Sequence, residues 1–346
     1  MISLSAADSF RRREPLARLG LCLIGVVLAL VHPADTLAQR PYGSRVSFPS
    51  ESRPLGFEAR WQIGDSATYT IQRTGSTMIL PGVPVQTTVE TTLRLEVVDA
   101  SRAGFTIQAS TNGGRVIAGV TDGFSKRLGE LTDGFSFAFL IRRNGTVSRL
   151  IDLEHTRSAV REIHRILFAE YPDDAGLPAP RAELQESLRR WLESDILFAQ
   201  GCLQEVEALF ACLQFEFTSL EPLWDTLPIS DPDLPAVSAL RTANLELVGF
   251  DDSSPTVRMK WRIFDEYSGV PAVDAWLASQ GRRPGGDYVG APERLSRLII
   301  DSTAQSVVER RSGWPIEVDT TLVVRGDVDP SESRIRFAKI ETSPES

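Results

Sequence analysis

A chain of 346 residues, 42% hydrophobic and 24% charged, has the composition of an ordinary folded protein, which excludes a disordered tail and leaves material for a sizeable core. The formal net charge of −9 argues against nucleic-acid binding, which needs a basic face to displace phosphate counterions. The pairs Arg142-Arg143, Arg189-Arg190, Arg282-Arg283 and Arg310-Arg311 are scattered among acids and read as solvated surface.

The chain opens with Arg11, Arg12, Arg13 and Arg18, followed by an apolar or small run from Leu19 to Val31. At about 13 residues the run suits a signal-peptide core and falls short of the roughly 20 needed to span a bilayer. Thr36-Leu37-Ala38 places small residues at −3 and −1 of a cleavage after Ala38, so residues 1–38 are expected to be a signal peptide and the mature protein secreted or periplasmic. Cys22 follows Leu21 near the start of the run, the wrong place for a lipid-bearing cysteine. No later segment reads as a transmembrane span.

Residues 39–56, rich in Pro, Gly and Ser, read as a flexible leader, and residues 57–346 as a single domain. Trp61 to Arg73 alternates Ala67, Tyr69 and Ile71 against Thr68, Thr70 and Gln72, the pattern of a half-buried antiparallel strand. Val85 to Val98, Phe105 to Ser110 and Arg115 to Val120 follow as strands. Phe135, Phe137, Phe139 and Ile141 alternate before Asn144-Gly145, a tight-turn pair that leads into Thr146 to Leu150. The expectation is a meander of about six strands over 57–150.

A helical insertion follows at 153–200. Val160, Ile163, Leu167 and Tyr171 share one face of a helix over Glu154 to Tyr171; Leu184, Leu188, Trp191, Leu192 and Ile196 mark a second over Ala182 to Ala199. Cys202 and Cys212 are the two cysteines left after cleavage, and an oxidising compartment makes a bridge between them the expectation. The bridge requires the chain to turn between them, because a straight helix would hold their Cα atoms about 15 Å apart against a limit of about 7 Å; otherwise both are buried thiols.

Strand character returns at Leu213 to Thr218, and Leu220 to Pro235 reads as an irregular connection. Strands are expected at Leu240 to Phe250, Thr256 to Phe264, Leu295 to Arg310, Ile316 to Arg325 and Arg334 to Glu341, with a short helical piece at Val270 to Ala278 and a Gly/Pro-rich loop at 281–292. The order strands, helices, strands (213–341) predicts an α+β fold: a strongly bent antiparallel β-sheet, half-barrel or sandwich-like, with a central helical hairpin covering one face.

Chemistry-bearing motifs are scarce. His155 and His164 fall about 180° apart on their helix, too far to share a metal, and read as surface or half-buried residues. Asp173-Asp174, Asp231/Asp233 and Asp251-Asp252 sit in turn-like contexts that explain them without calcium. There is no nucleophile elbow, P-loop, dinucleotide fingerprint or C-x-x-C, so no catalytic, cofactor-binding or metal residue is assigned, and no cofactor. Asn144-Gly145-Thr146 matches a glycosylation sequon, but a hairpin turn accounts for the same residues.

Trp61-Gln62-Ile63-Gly64-Asp65 with Tyr69, Asn144-Gly145-Thr146-Val147, Trp224-Asp225 and Ser312-Gly313-Trp314-Pro315 give the chain a resemblance to uncharacterised secreted bacterial proteins with a lipoprotein-carrier-like architecture. The resemblance implies a curved antiparallel sheet that wraps helices around an apolar hollow, and transfers no functional residue. The expected function is binding or carriage of an apolar ligand such as a lipid, with Phe135, Phe137, Phe139, Leu188, Trp191 and Leu192 as candidate lining. The alternatives are an envelope scaffold contacting a protein partner through the 220–235 or 281–292 loops, and a hydrolase with a motif-free carboxylate pair.

Overall fold

The computed structural model describes residues 55–56, 58–80, 83–119, 123–172, 181–214, 216–217, 223–228, 238–249, 251, 253–268, 297–326 and 331–340. The expected signal peptide, most of the expected leader, Asp173-Asp174, Asp231/Asp233, the helical piece expected at 270–278 and the loop expected at 281–292 lie outside them. Strands are β1 (Leu55–Gly56), β2 (Ser66–Leu80), β3 (Val83–Ala100), β4 (Phe105–Ala118), β5 (Ser136–Ile141), β6 (Val147–Ile151), β7 (Glu216–Phe217), β8 (Leu223–Pro228), β9 (Ser238–Leu247), β10 (Thr256–Ser268), β11 (Arg297–Glu309), β12 (Pro315–Gly326) and β13 (Ser331–Lys339). Helices are α1 (Gly123–Leu131), α2 (Leu153–Glu170), α3 (Arg181–Glu193) and α4 (Asp195–Phe210), the last followed by a 3-10 turn at Ala211–Gln214.

Eleven strands form one antiparallel sheet in the order β6-β5-β4-β3-β2-β13-β12-β11-β10-β9-β8, so the pairing of β2 with β13 joins the strands before the helices to those after them. Alternation sets the faces: Ala67, Tyr69 and Ile71 of β2 and Val89, Thr91, Leu93, Leu95 and Val97 of β3 are all buried.

The sheet is strongly rolled at one end, as two short contacts show. The Ala59 amide donates to the Arg143 carbonyl in the β5–β6 turn (3.0 Å), and the next amide, Arg60, donates to Ser312 in the β11–β12 turn (3.1 Å). Successive amides are about 3.7 Å apart, which holds the two carbonyls within about 10 Å. In a flat sheet these turns would stand some six strand spacings, roughly 29 Å, apart. The α4 helix accordingly packs on both β6, at one edge, and β12.

Several elements differ from the sequence reading, each for a local reason. The two strands expected at 105–120 are one, β4, which passes through a register shift against β3 near Gly113 (φ 67°), so the Asn112-Gly113-Gly114 turn signal marks a bulge. The helix expected over 182–199 breaks at Ser194, whose extended backbone and side chain, accepting from the Leu197 amide (3.3 Å), cap a new helix that runs on to Phe210. The central hairpin is therefore three helices, with the unforeseen α1 beside them. Leu213 belongs to the 3-10 turn, and among the described residues of the strand expected at 213–218 only Glu216–Phe217, β7, are in strand, paired with Leu55–Gly56 from the end of the expected leader. Within the expected irregular stretch 220–235, Leu223–Pro228 pairs with β9 as an edge strand.

The disulfide expectation is corrected. Cys202 lies in α4 and Cys212 just beyond it in the 3-10 turn; the chain does not fold back between them, and both are free, buried thiols. Asp195–Gln214 is long and apolar enough, at a mean hydropathy of 1.4, to cross a membrane by composition, contrary to the sequence reading. Its place inside the rolled sheet explains that composition: Phe198, Cys202, Leu203, Val206, Leu209 and Phe210 are buried.

Candidate functional site

Three of the four segments that carry the family resemblance meet at the closed end of the roll. Trp61 stacks on Trp314 (ring centroids 4.3 Å apart) and touches Phe105 (5.1 Å) and Phe210 (5.3 Å); Phe210 in turn reaches Phe139 (6.5 Å). The Tyr69 hydroxyl donates to the Pro315 carbonyl (2.9 Å). At the turn of the third segment the Asn144 side chain accepts from Thr146 and Gly145 takes φ 80°, as the hairpin reading requires. This end is filled with packed, buried rings, which makes it a structural plug. The fourth segment, Trp224-Asp225, lies in edge strand β8.

The opening lies in the helical layer. α2 packs on α1 and α4, α3 packs on α4, and between α2 and α3 runs a groove of about 610 Å³. Its apolar part is Phe168 and Ala169 of α2 with Leu188 and Leu192 of α3; Arg161, Arg165, Arg181 and Arg189 add positive charge, Glu193 a negative one, and His164 and Gln185 complete the lining. The end of α2 and the start of α3 meet here: Arg181 donates to the carbonyls of Phe168 (2.9 Å) and Tyr171 and sits over the Phe168 ring at 5.2 Å.

His164 is buried, not a surface or half-buried helix residue as the sequence reading held. Its Nδ1 donates to the Val160 carbonyl (2.8 Å), and burial pushes its pKa below the usual imidazole range. The ring is therefore neutral at pH 7, with Nε2 as an acceptor. His155 is exposed. The Asp251 carboxylate accepts from the Ser253 amide and hydroxyl (both 2.8 Å), which is the turn role expected of it.

The six candidate lining residues separate. Leu188 and Leu192 line the groove. Trp191, on the other side of α3, is buried against Phe198 (4.7 Å) with its indole N–H on the Leu197 carbonyl (2.9 Å). Phe135, Phe137 and Phe139 form a row with centroids 6.0 and 6.2 Å apart inside the core and do not line the groove. Sequence reasoning missed Arg161, His164, Phe168 and Arg181. The available signal was Arg157, Arg161 and Arg165 at four-residue spacing, which places three like charges on one side of α2.

A second hollow, about 340 Å³ on the sheet, is bounded mostly by polar side chains, among them Asn244, Lys260, Gln305 and Asp319. It lacks the apolar floor of the helical groove.

The fold thus defines a class: an α+β protein whose eleven-stranded antiparallel sheet rolls around a buried helix and carries an open groove in its helical layer. No family model and no curated protein matches the chain. Among solved structures, one titled "Lipid-protein interactions in lipovitellin" is similar at 10% identity and a TM-score of 0.36, over 82% of this chain and 26% of that one. The chain spans about a quarter of that protein's length, and a likeness this loose assigns neither family nor ligand.

Proposed function

We propose that the protein binds or carries an apolar small molecule, such as a lipid or acyl chain, outside the cytoplasm after export by residues 1–38. The observation that carries this reading is the α2–α3 groove. It is a concave space of about 610 Å³, within the range of small-molecule sites, floored by the outer atoms of Phe168, Leu188 and Leu192, whose side chains are otherwise buried, with Ala169 exposed beside them. Exposed apolar surface in such a groove gains free energy when a hydrocarbon chain covers it, at about 25 cal/mol per Å² removed from water. The basic start, the short apolar run and Thr36-Leu37-Ala38 support export.

Native mass spectrometry and solvent extraction of the mature chain, purified from its own envelope, test the reading. A bound molecule with an alkyl chain is the expected result. A protein that arrives empty and takes up no added acyl compound is not a carrier.

A further inference from the structure

The charges around the groove narrow the ligand class. On α2 the row Arg157, Arg161, Arg165 would repel itself at four-residue spacing, and its two outer members are matched by carboxylates. Arg157 pairs with Glu154 and Asp195, and Arg165 pairs with Glu162 (2.6 Å). Arg161, between them, forms no ion pair or hydrogen bond among the described residues and lines the groove. Across the groove the acidic lining residue, Glu193, is already held by Arg189 (2.6 Å). Because the two helices meet where Arg181 reaches Phe168, Arg161 on α2 and Leu192 on α3 both line the groove away from that junction, and the apolar floor lies between Arg161 and Phe168.

We infer that this groove selects an amphiphile with one anionic head, of which a fatty-acid carboxylate is the simplest, and that Arg161 receives the head while Leu192, Leu188 and Phe168 cover the chain. The inference rests on the carrier reading above. Arginine suits the role because its planar fork meets a carboxylate with two parallel, charge-assisted hydrogen bonds.

Calorimetric titration of the mature chain with dodecanoate, 1-dodecanol and dodecyltrimethylammonium tests it. Dodecanoate is expected to bind at least tenfold tighter than the other two, with an advantage that shrinks as salt is added. Arg161→Gln should bring dodecanoate down to the level of the alcohol without changing the alcohol. Arg94→Gln, which removes an exposed charge on β3 that is matched by Glu96 and lies outside the groove lining, should leave the advantage in place. Equal binding of acid and alcohol by the wild-type chain, or an Arg161→Gln chain that still prefers the acid, overturns the head-group assignment and leaves the carrier reading standing. Failure of all three compounds to bind overturns both.

Discussion

Trp61 and Trp314 lie face to face, with ring centroids 4.3 Å apart and planes inclined by 21°, although one precedes the first long strand and the other sits in the turn before β12. The pair fastens the sheet's rolled end from both sides, with Phe105 and Phe210 packed around it. Both tryptophans are 4% exposed, so truncation leaves a cavity the surrounding rings cannot fill. Trp61→Ala and Trp314→Ala should each lower unfolding free energy by about 3–5 kcal/mol in urea titrations. Because each removes the other's partner, the double variant should cost clearly less than the sum of the two. Simple additivity would show that the stack does not hold the roll closed.

Glycine at the β5–β6 turn is held to its place by two separate demands. Gly145 has φ 80°, and a Cβ there would stand 2.3 Å from the Leu213 Cβ, because the turn abuts the end of α4. Gly64 has a similar φ of 92° with nothing within 4 Å of the same position. Gly64→Ala should therefore cost only the left-handed backbone penalty, about 1–2 kcal/mol, whereas Gly145→Ala should cost a further 1 kcal/mol or more, about the scale of overpacking. Thermal unfolding of the two variants side by side checks the contact; equal losses would remove it.

The strands were legible where one face is dry and the other wet. β2, β3 and β5 follow the alternation read from the chain, because a side-chain period of two decides burial wherever one face meets the core, and β10 shows the same period in its burial. β8 was hidden: its Pro and Asp content reads as loop, and its strand state comes from pairing with β9 alone, at an edge that tolerates Pro228 at its end. The continuous helix drawn through Ser194 ignored a cap signal that was present, Ser194 followed by Asp195. The groove was half legible. Leu188 and Leu192 fell on the expected face, but Arg161 and His164 look like ordinary helix-surface residues until the neighbouring helix is in place.

Glu207 should give the fold a measurable acid preference. It is half-buried on α4, with no hydrogen-bond partner among the described residues, and burial pushes its pKa up to about 7 from 4.5. A carboxyl whose folded pKa exceeds its unfolded one favours folding in its protonated form. Its contribution is complete below about pH 4.5 and is lost as pH rises through about 7, where the folded chain must hold a desolvated charge. His164, with a lowered pKa, acts in the opposite sense, losing stability as pH falls below 6.5. The comparison with Glu207→Gln isolates the first effect. At pH 8 the variant should be more stable than the parent by about 1–3 kcal/mol, and at pH 4 the two should converge. A difference independent of pH between 4 and 8 would show that Glu207 stays ionised in the fold.

The two thiols should be silent until the chain unfolds. Cys202 is 8% and Cys212 0% exposed, and burial pushes each up to about 12 from a thiol's usual 9.0, so the reactive thiolate is scarce and shielded at neutral pH. In a chain prepared from Gln39 onward, which lacks Cys22, a thiol reagent at pH 8 should label neither cysteine in native buffer and both in denaturant. Intact mass should be the same before and after reduction. An intact mass that rises by two hydrogens on reduction would mean that the helix between the cysteines can open far enough to let them meet. That rearrangement would have to unpack Val206 and Leu209 from the core, so the oxidised chain would also unfold at lower denaturant than the reduced one.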